Sequence, residues 1–170
     1  MTEIESLQNH FLVAMPDLED PYFSRSLIYI CEHNSDGAMG IVVNQPSTMN
    51  VKQLLEQVDS SLNVSEDKAE QIVLAGGPVS QERGFVLHCD QKRWTSSLQL
   101  APNVMVTTSK DILTAIGNNE GPKDVLIALG YAGWTAGQLE MEMQENAWLT
   151  IEADEEILFH TPMHKKWQAT

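Results

Sequence analysis

The chain has 170 residues, of which 42% are hydrophobic and 20% charged, a globular composition that excludes a disordered or fibrous protein. Ten Lys and Arg against 24 Asp and Glu leave a net charge of −14. That field repels phosphate backbones and anionic membrane surfaces, so direct nucleic-acid binding is disfavoured and no membrane partner is expected. The basic pairs Lys92-Arg93 and Lys165-Lys166 are too short to form a patch.

The N-terminal residues carry Glu3 and Glu5 where a secretory signal would carry basic groups, which points to a cytoplasmic protein. Phe11–Met15, ended by Pro16, reads as a strand. Ser26–His33, the turn Asn34-Ser-Asp-Gly37 and Met39–Asn44 read as a hairpin. Asn50 is placed to cap a helix over 51–58, with Val51, Leu54, Leu55 and Val58 on one face. Further strands are expected at 71–75, 85–89, 98–100 and 104–107, and a helix at 109–116 that Gly117 terminates.

The apolar segment Val125–Leu129 reads as a strand that ends in a glycine-rich corner, Gly130 to Gly137. Residues 138–146 fit a helix, although the alternation of Leu139, Met141 and Met143 also suits a strand. Residues 148–152 fit a strand, and 157–159 are a candidate for another. Strands and hairpins with interspersed helices, without steady βαβ alternation, indicate an α+β fold, and no linker divides residues 1–170 into separate domains. Cys31 and Cys89 lie in strand-like stretches with no CxxC partner and read as two buried, reduced thiols.

Motifs for catalysis are missing. Gly76-Gly77-Pro78 lacks the Lys-Ser/Thr of a phosphate-binding loop, and Pro78 removes a donor, so a tight turn is the better reading. The glycine spacing at 130, 133 and 137 does not match a dinucleotide fingerprint, and a corner packed around Tyr131 and Trp134 is favoured. Thr108-x-x-Asp111 fits a capping box, preferred over an anion held by Thr108 and Ser109. His160 and His164 are separated by Pro162 and do not form a helical metal pair; no metal or cofactor is expected. His33 and Asn44 stand near opposite ends of the hairpin sequence, where they could meet across it, with a hydrogen-bonded structural histidine as the simpler account. On a strand His88 and Asp90 share a face that Cys89 does not, so those three make no compact triad.

In order along the chain, Phe11-Leu-Val-Ala-Met-Pro16, Ile30-Cys-Glu-His33, Gly37-Ala-Met-Gly40, Gly76-Gly-Pro-Val79, Gly84-Phe-Val-Leu-His88, Thr107-Thr-Ser109, Leu129-Gly-Tyr-Ala-Gly-Trp134, Gly137-Gln-Leu-Glu140 and Asn146-Ala-Trp-Leu149 resemble the YqgE/AlgH family of bacterial proteins. The resemblance implies a mixed, bifurcated β-sheet with a small barrel-like part, surrounded by helices. It supplies no catalytic residues, and the transcriptional-regulator label on some members reflects a genetic role in exopolysaccharide control. The expectation is a non-catalytic domain that binds a small molecule or a protein partner and acts on transcription only indirectly. The alternative is a small hydrolase-like enzyme acting on a small, phosphorylated or unphosphorylated, metabolite. Candidate ligand-binding residues are His33, Asn44, Gly77, His88, Thr108, Ser109, Tyr131 and Trp134.

Overall fold

The structure is a computed structural model and describes residues 7–15, 25–58, 70–89, 97–101, 104–118, 124–145, 147–161 and 166. Ten strands are found among them: β1 (His10–Ala14), β2 (Leu27–Asn34), β3 (Gly37–Val42), β4 (Pro46–Asn50), β5 (Ile72–Ala75), β6 (Val79–His88), β7 (Ser97–Ala101), β8 (Val104–Thr107), β9 (Val125–Thr135) and β10 (Trp148–Glu152). Three helices, α1 (Val51–Val58), α2 (Lys110–Gly117) and α3 (Gln138–Gln144), accompany them, with a π-helical turn at Glu156–His160.

The main path of the sheet is β10-β1-β2-β3-β9-β6-β8-β7, with every pair along it antiparallel. β9 is the trunk on which the sheet forks. One edge of it pairs with β6. On the other edge, Ala128 and Leu129 pair in parallel with β5, while Ala132 to Thr135 pair antiparallel with β3. The first branch continues to β4 and the second to β2, β1 and β10. The fold is therefore α+β, with a mixed, bifurcated sheet that curls into a half-barrel.

Alternation along the strands fills three cores. Phe11, Val13, Leu27, Tyr29, Ile41, Val43, Phe85 and Leu87 point into the curl of the sheet, where Leu158 of the π-helical turn joins them. Their neighbours Leu12, Ala14, Ile28, Ile30 and Val42 face outward and pack with Trp134, Trp148 and Leu139 of α3. Val86, Val125 and Ile127 face outward on the other wing, under Val51, Leu54 and Leu55 of α1 and Ile112 and Ile116 of α2. Burial on both faces explains why β1 and β2 read as nearly continuous apolar runs.

The expected cap of α1 forms reciprocally. Asn50 Oδ1 accepts from the Gln53 N–H, and Gln53 Oε1 accepts from the Asn50 N–H, both at 2.9 Å. Three local expectations are corrected, and one strand is added. The expected glycine corner is instead strand: β9 runs unbroken from Val125 to Thr135, because Gly130, at φ +80°, lets the trunk fork without ending. Residues 157–159 belong to a π-helical turn rather than a strand. β4 had no sequence signal and exists through its pairing with β5. Of the cysteines, Cys31 is buried and Cys89 only half-buried; both are free thiols.

Candidate functional site

A cavity of about 810 Å³ opens on the concave side of the sheet. Phe85, Val106, Tyr131, Met39, Val79 and Leu98 give it an apolar wall. Glu32 and Asp36 stand at the β2–β3 end, and Arg83 stands on β6, with β3 and β9 between β2 and β6. Phe85 and Tyr131 meet edge to face with centroids 5.7 Å apart, and the Arg83 guanidinium carbon lies 5.4 Å from the Phe85 centroid.

A β-bulge decides which side chains reach this space. Ile30 pairs with Gly40 but Glu32 pairs with Met39, so Cys31 is the extra residue and the alternation of β2 reverses there. Glu32 and Asn34 consequently face the cavity, and His33 is turned to the opposite side. There the Leu7 N–H donates to His33 Nδ1 at 3.0 Å, and His33 Nε2 is hydrogen-bonded to Glu140 on α3. Because Nδ1 accepts, the ring proton of neutral His33 sits on Nε2 and is donated to the carboxylate. Burial pushes the Glu140 carboxyl up, but hydrogen bonds from His33 and from its own backbone N–H outweigh this and hold its pKa below the ordinary value. Cys31 Sγ, buried beside the cavity, has its thiol pushed up to about 12 by burial and then by the Glu32 charge, which makes it a poor nucleophile.

His33 and Asn44 do not meet. Asn44 lies beyond the far end of β3, where its Oδ1 accepts from the Leu27 N–H and its Nδ2 donates to the Arg25 carbonyl, both at 2.9 Å. Antiparallel register puts Ala38, not Asn44, opposite His33. Gly77 serves close packing: a β-carbon there would stand 2.0 Å from the Tyr131 carbonyl carbon, so the segment is wedged against β9 and leaves no cradle for a ligand.

His88 is fully buried and opposite Val125, on the helix-covered side. Its Nδ1 donates to the Cys89 carbonyl at 2.9 Å, so Nε2 accepts from the Thr107 hydroxyl at 2.7 Å, and Thr107 in turn accepts from Ser97 at 2.8 Å. Among the described residues this run of hydrogen bonds leads from the Ser97 hydroxyl through Thr107 and His88 to the Cys89 carbonyl, and it fixes the His88 ring in place.

The capping residue of α2 is Ser109, one position later than the expected Thr108. Ser109 Oγ donates to Asp111 Oδ1, which also accepts the Ile112 N–H at 3.0 Å, so the Thr108–Asp111 box does not form. Thr108 is exposed and lines the large cavity. It also lines a second one of about 190 Å³ together with Ser109, Gly84, Leu113 and Leu129.

Of the residues singled out from sequence, the structure thus brings Thr108, Tyr131 and Trp134 to the large cavity and leaves His33, Asn44, Gly77, His88 and Ser109 out of its lining. Trp134 sits at the rim with its indole N–H donated to Glu142 Oε1 at 3.1 Å, an oxygen that also accepts from Trp148 at 2.9 Å. Arg83, Phe85 and Leu98 are among the lining residues sequence reasoning missed. The one available signal was Arg83 itself, an isolated base in a strongly acidic chain. Among the described residues no group of three or more His, Cys, Asp or Glu is placed to hold a metal ion. His164 lies outside the described residues.

The family model described as AlgH-like matches residues 11–170. The chain belongs to the AlgH-like family. It is 53% identical over 166 residues to a UPF0301 protein of Vibrio cholerae, covering 96% of this chain and 89% of that one. It is 55% identical over 170 residues to a UPF0301 protein of Saccharophagus degradans, covering 98% and 81%. The solution structure of the AlgH protein from Pseudomonas aeruginosa superposes with a TM-score of 0.83 at 43% identity, covering 99% of this chain and 90% of that one. A crystal structure of a Corynebacterium diphtheriae protein, 22% identical with a TM-score of 0.75 over 99% and 87% of the two chains, shares the fold. The motifs that carry the family resemblance fall largely on the fork and the α3 contacts. Gly76, Gly77 and Gly130 pack at the fork. Gly137 adopts φ +78° ahead of α3, Leu139 enters the core and Glu140 holds His33.

Proposed function

We propose that this AlgH-like protein is a non-catalytic, cytoplasmic binding domain whose ligand is a small organic molecule held in the concave cavity. The observation that carries this reading is the cavity itself: about 810 Å³, walled by aromatic and aliphatic side chains, with a few polar groups at its ends. That is the size and character of a small-molecule site. His33 and His88 are engaged in hydrogen bonds outside it, and the Cys31 thiol in its wall is held protonated, so among the described residues neither the histidines nor the thiol supplies an activated nucleophile there. The net charge of −14 argues against direct contact with a duplex, so any influence on transcription runs through the ligand or a protein partner.

The test is a thermal-shift screen of the purified protein and its Leu98→Glu variant against metabolites. Leu98 is 51% exposed on the edge strand β7, so the substitution leaves the fold intact while placing a charge in the cavity wall. A ligand at about a hundred times its Kd stabilises by roughly 2.7 kcal/mol, and the shift should vanish in Leu98→Glu. Hits that stabilise both proteins equally would remove the cavity as the site.

A further inference from the structure

Charged groups are unevenly distributed around the cavity. Glu32 and Asp36 belong to the β2–β3 end, and Arg83 to β6 on the other wing. Among the described residues Arg83 makes no side-chain hydrogen bond or ion pair; its one interaction is with the Phe85 ring face, 5.4 Å away. The chain has 24 carboxylates and ten Lys and Arg, so an arginine on an apolar wall without a carboxylate partner is out of keeping with the chain around it. The ring of Phe85 orients the guanidinium plane, and its fork of N–H donors remains available to a planar anion.

We infer that the cavity selects a planar aromatic acid carrying a single negative charge. This rests on the small-molecule reading above. The acid group pairs with the Arg83 fork, and the ring lies along Phe85 and Tyr131. The far end of the molecule approaches Glu32 and Asp36, where a second anionic group is repelled and a hydroxyl or amine donor is accepted. Selection therefore combines one attractive contact with a repulsive one at the opposite end.

Two fluorescent probes of nearly the same shape test this: anilinonaphthalene sulfonate, an aryl anion, and neutral phenylnaphthylamine. Each is titrated against the wild type, Arg83→Gln and Leu98→Glu. Arg83 is exposed, so its substitution leaves the fold intact. The anion should bind the wild type about tenfold more tightly than the neutral probe, and Arg83→Gln should erase that preference while leaving the neutral probe unchanged. If both probes are displaced by Leu98→Glu but the preference is absent, or survives Arg83→Gln, the cavity stands and the anion selection is overturned. Probes that fail to bind, or bind Leu98→Glu as well as the wild type, overturn both.

Discussion

A β-carbon on Gly76 would stand 2.4 Å from the carbonyl oxygen of Gly130. The contact is backbone against backbone at the point where β5 leaves the trunk strand, and the Gly76 N–H donates there to the Leu129 carbonyl at 2.8 Å. Neither side can move without opening the fork.

Gly76→Ala is therefore expected to cost at least about 3 kcal/mol, seen as a lower midpoint in urea unfolding. Gly84→Ala is the control, because nothing lies within 4 Å of a β-carbon there. That variant should be neutral or gain up to about 1 kcal/mol through the unfolded chain. Equal losses in the two variants would show that glycine flexibility, rather than the close approach, sets the requirement.

The His33–Glu140 pair joins the end of β2 to α3 and should make stability depend on acid. The Glu140 pKa is lowered in the folded state, so its contribution is present above the unfolded value of 4.5 and is lost as pH falls through the folded one. Unfolding free energies of wild type and Glu140→Gln should differ at neutral pH and converge on acidification. His33→Ala, which also leaves the Leu7 N–H without its acceptor, should cost about 1–2 kcal/mol. A gap between wild type and Glu140→Gln that does not change with pH would dismiss the charge as a contributor.

Lys166 is 2% exposed, and its Nζ donates to the Val43 carbonyl at 3.1 Å. Desolvation lowers its pKa from 10.5 to about 8. Between those values the unfolded chain holds a proton that the folded one has released, so stability rises with pH across that window. Cys31 and Tyr29, both pushed up by burial, act in the opposite direction as pH rises from 9. The readout is therefore the difference between wild type and Lys166→Met. The wild type should gain up to ~3 kcal/mol on the variant from about pH 8 to 10.5, measured by chemical unfolding. Parallel curves would mean that the ammonium is not desolvated.

The fold class and most strands could be read from sequence because alternation and turn chemistry are local. The hairpin of β2 and β3 follows from its β-branched residues and the turn after Asn34, and α1 follows from the Asn50 cap. Where the reading failed, the cause was a partner distant in sequence. β4 is a strand only because β5 lies beside it, and β9 continues through its glycines because β3 pairs with Gly133 and β6 pairs with Leu129 and Tyr131 on either side of Gly130. The candidate site was legible in part. Tyr131, Trp134 and Thr108 reach the cavity, but His33 was placed by strand position, and the bulge at Cys31 reverses the direction in which it points.

By itself the sequence determined the acidic field, the α+β class and the family, since each is written in composition, local periodicity or ordered motifs. Only the tertiary structure decided that Gly76, Gly77 and Gly130 serve a fork, that His33 and His88 are tied up in hydrogen bonds away from the concave face, and that Arg83 stands on the cavity wall. The reason is that pairing register and sheet curl join residues as far apart as Glu32, Arg83 and Tyr131, and no local pattern along the chain records that they meet.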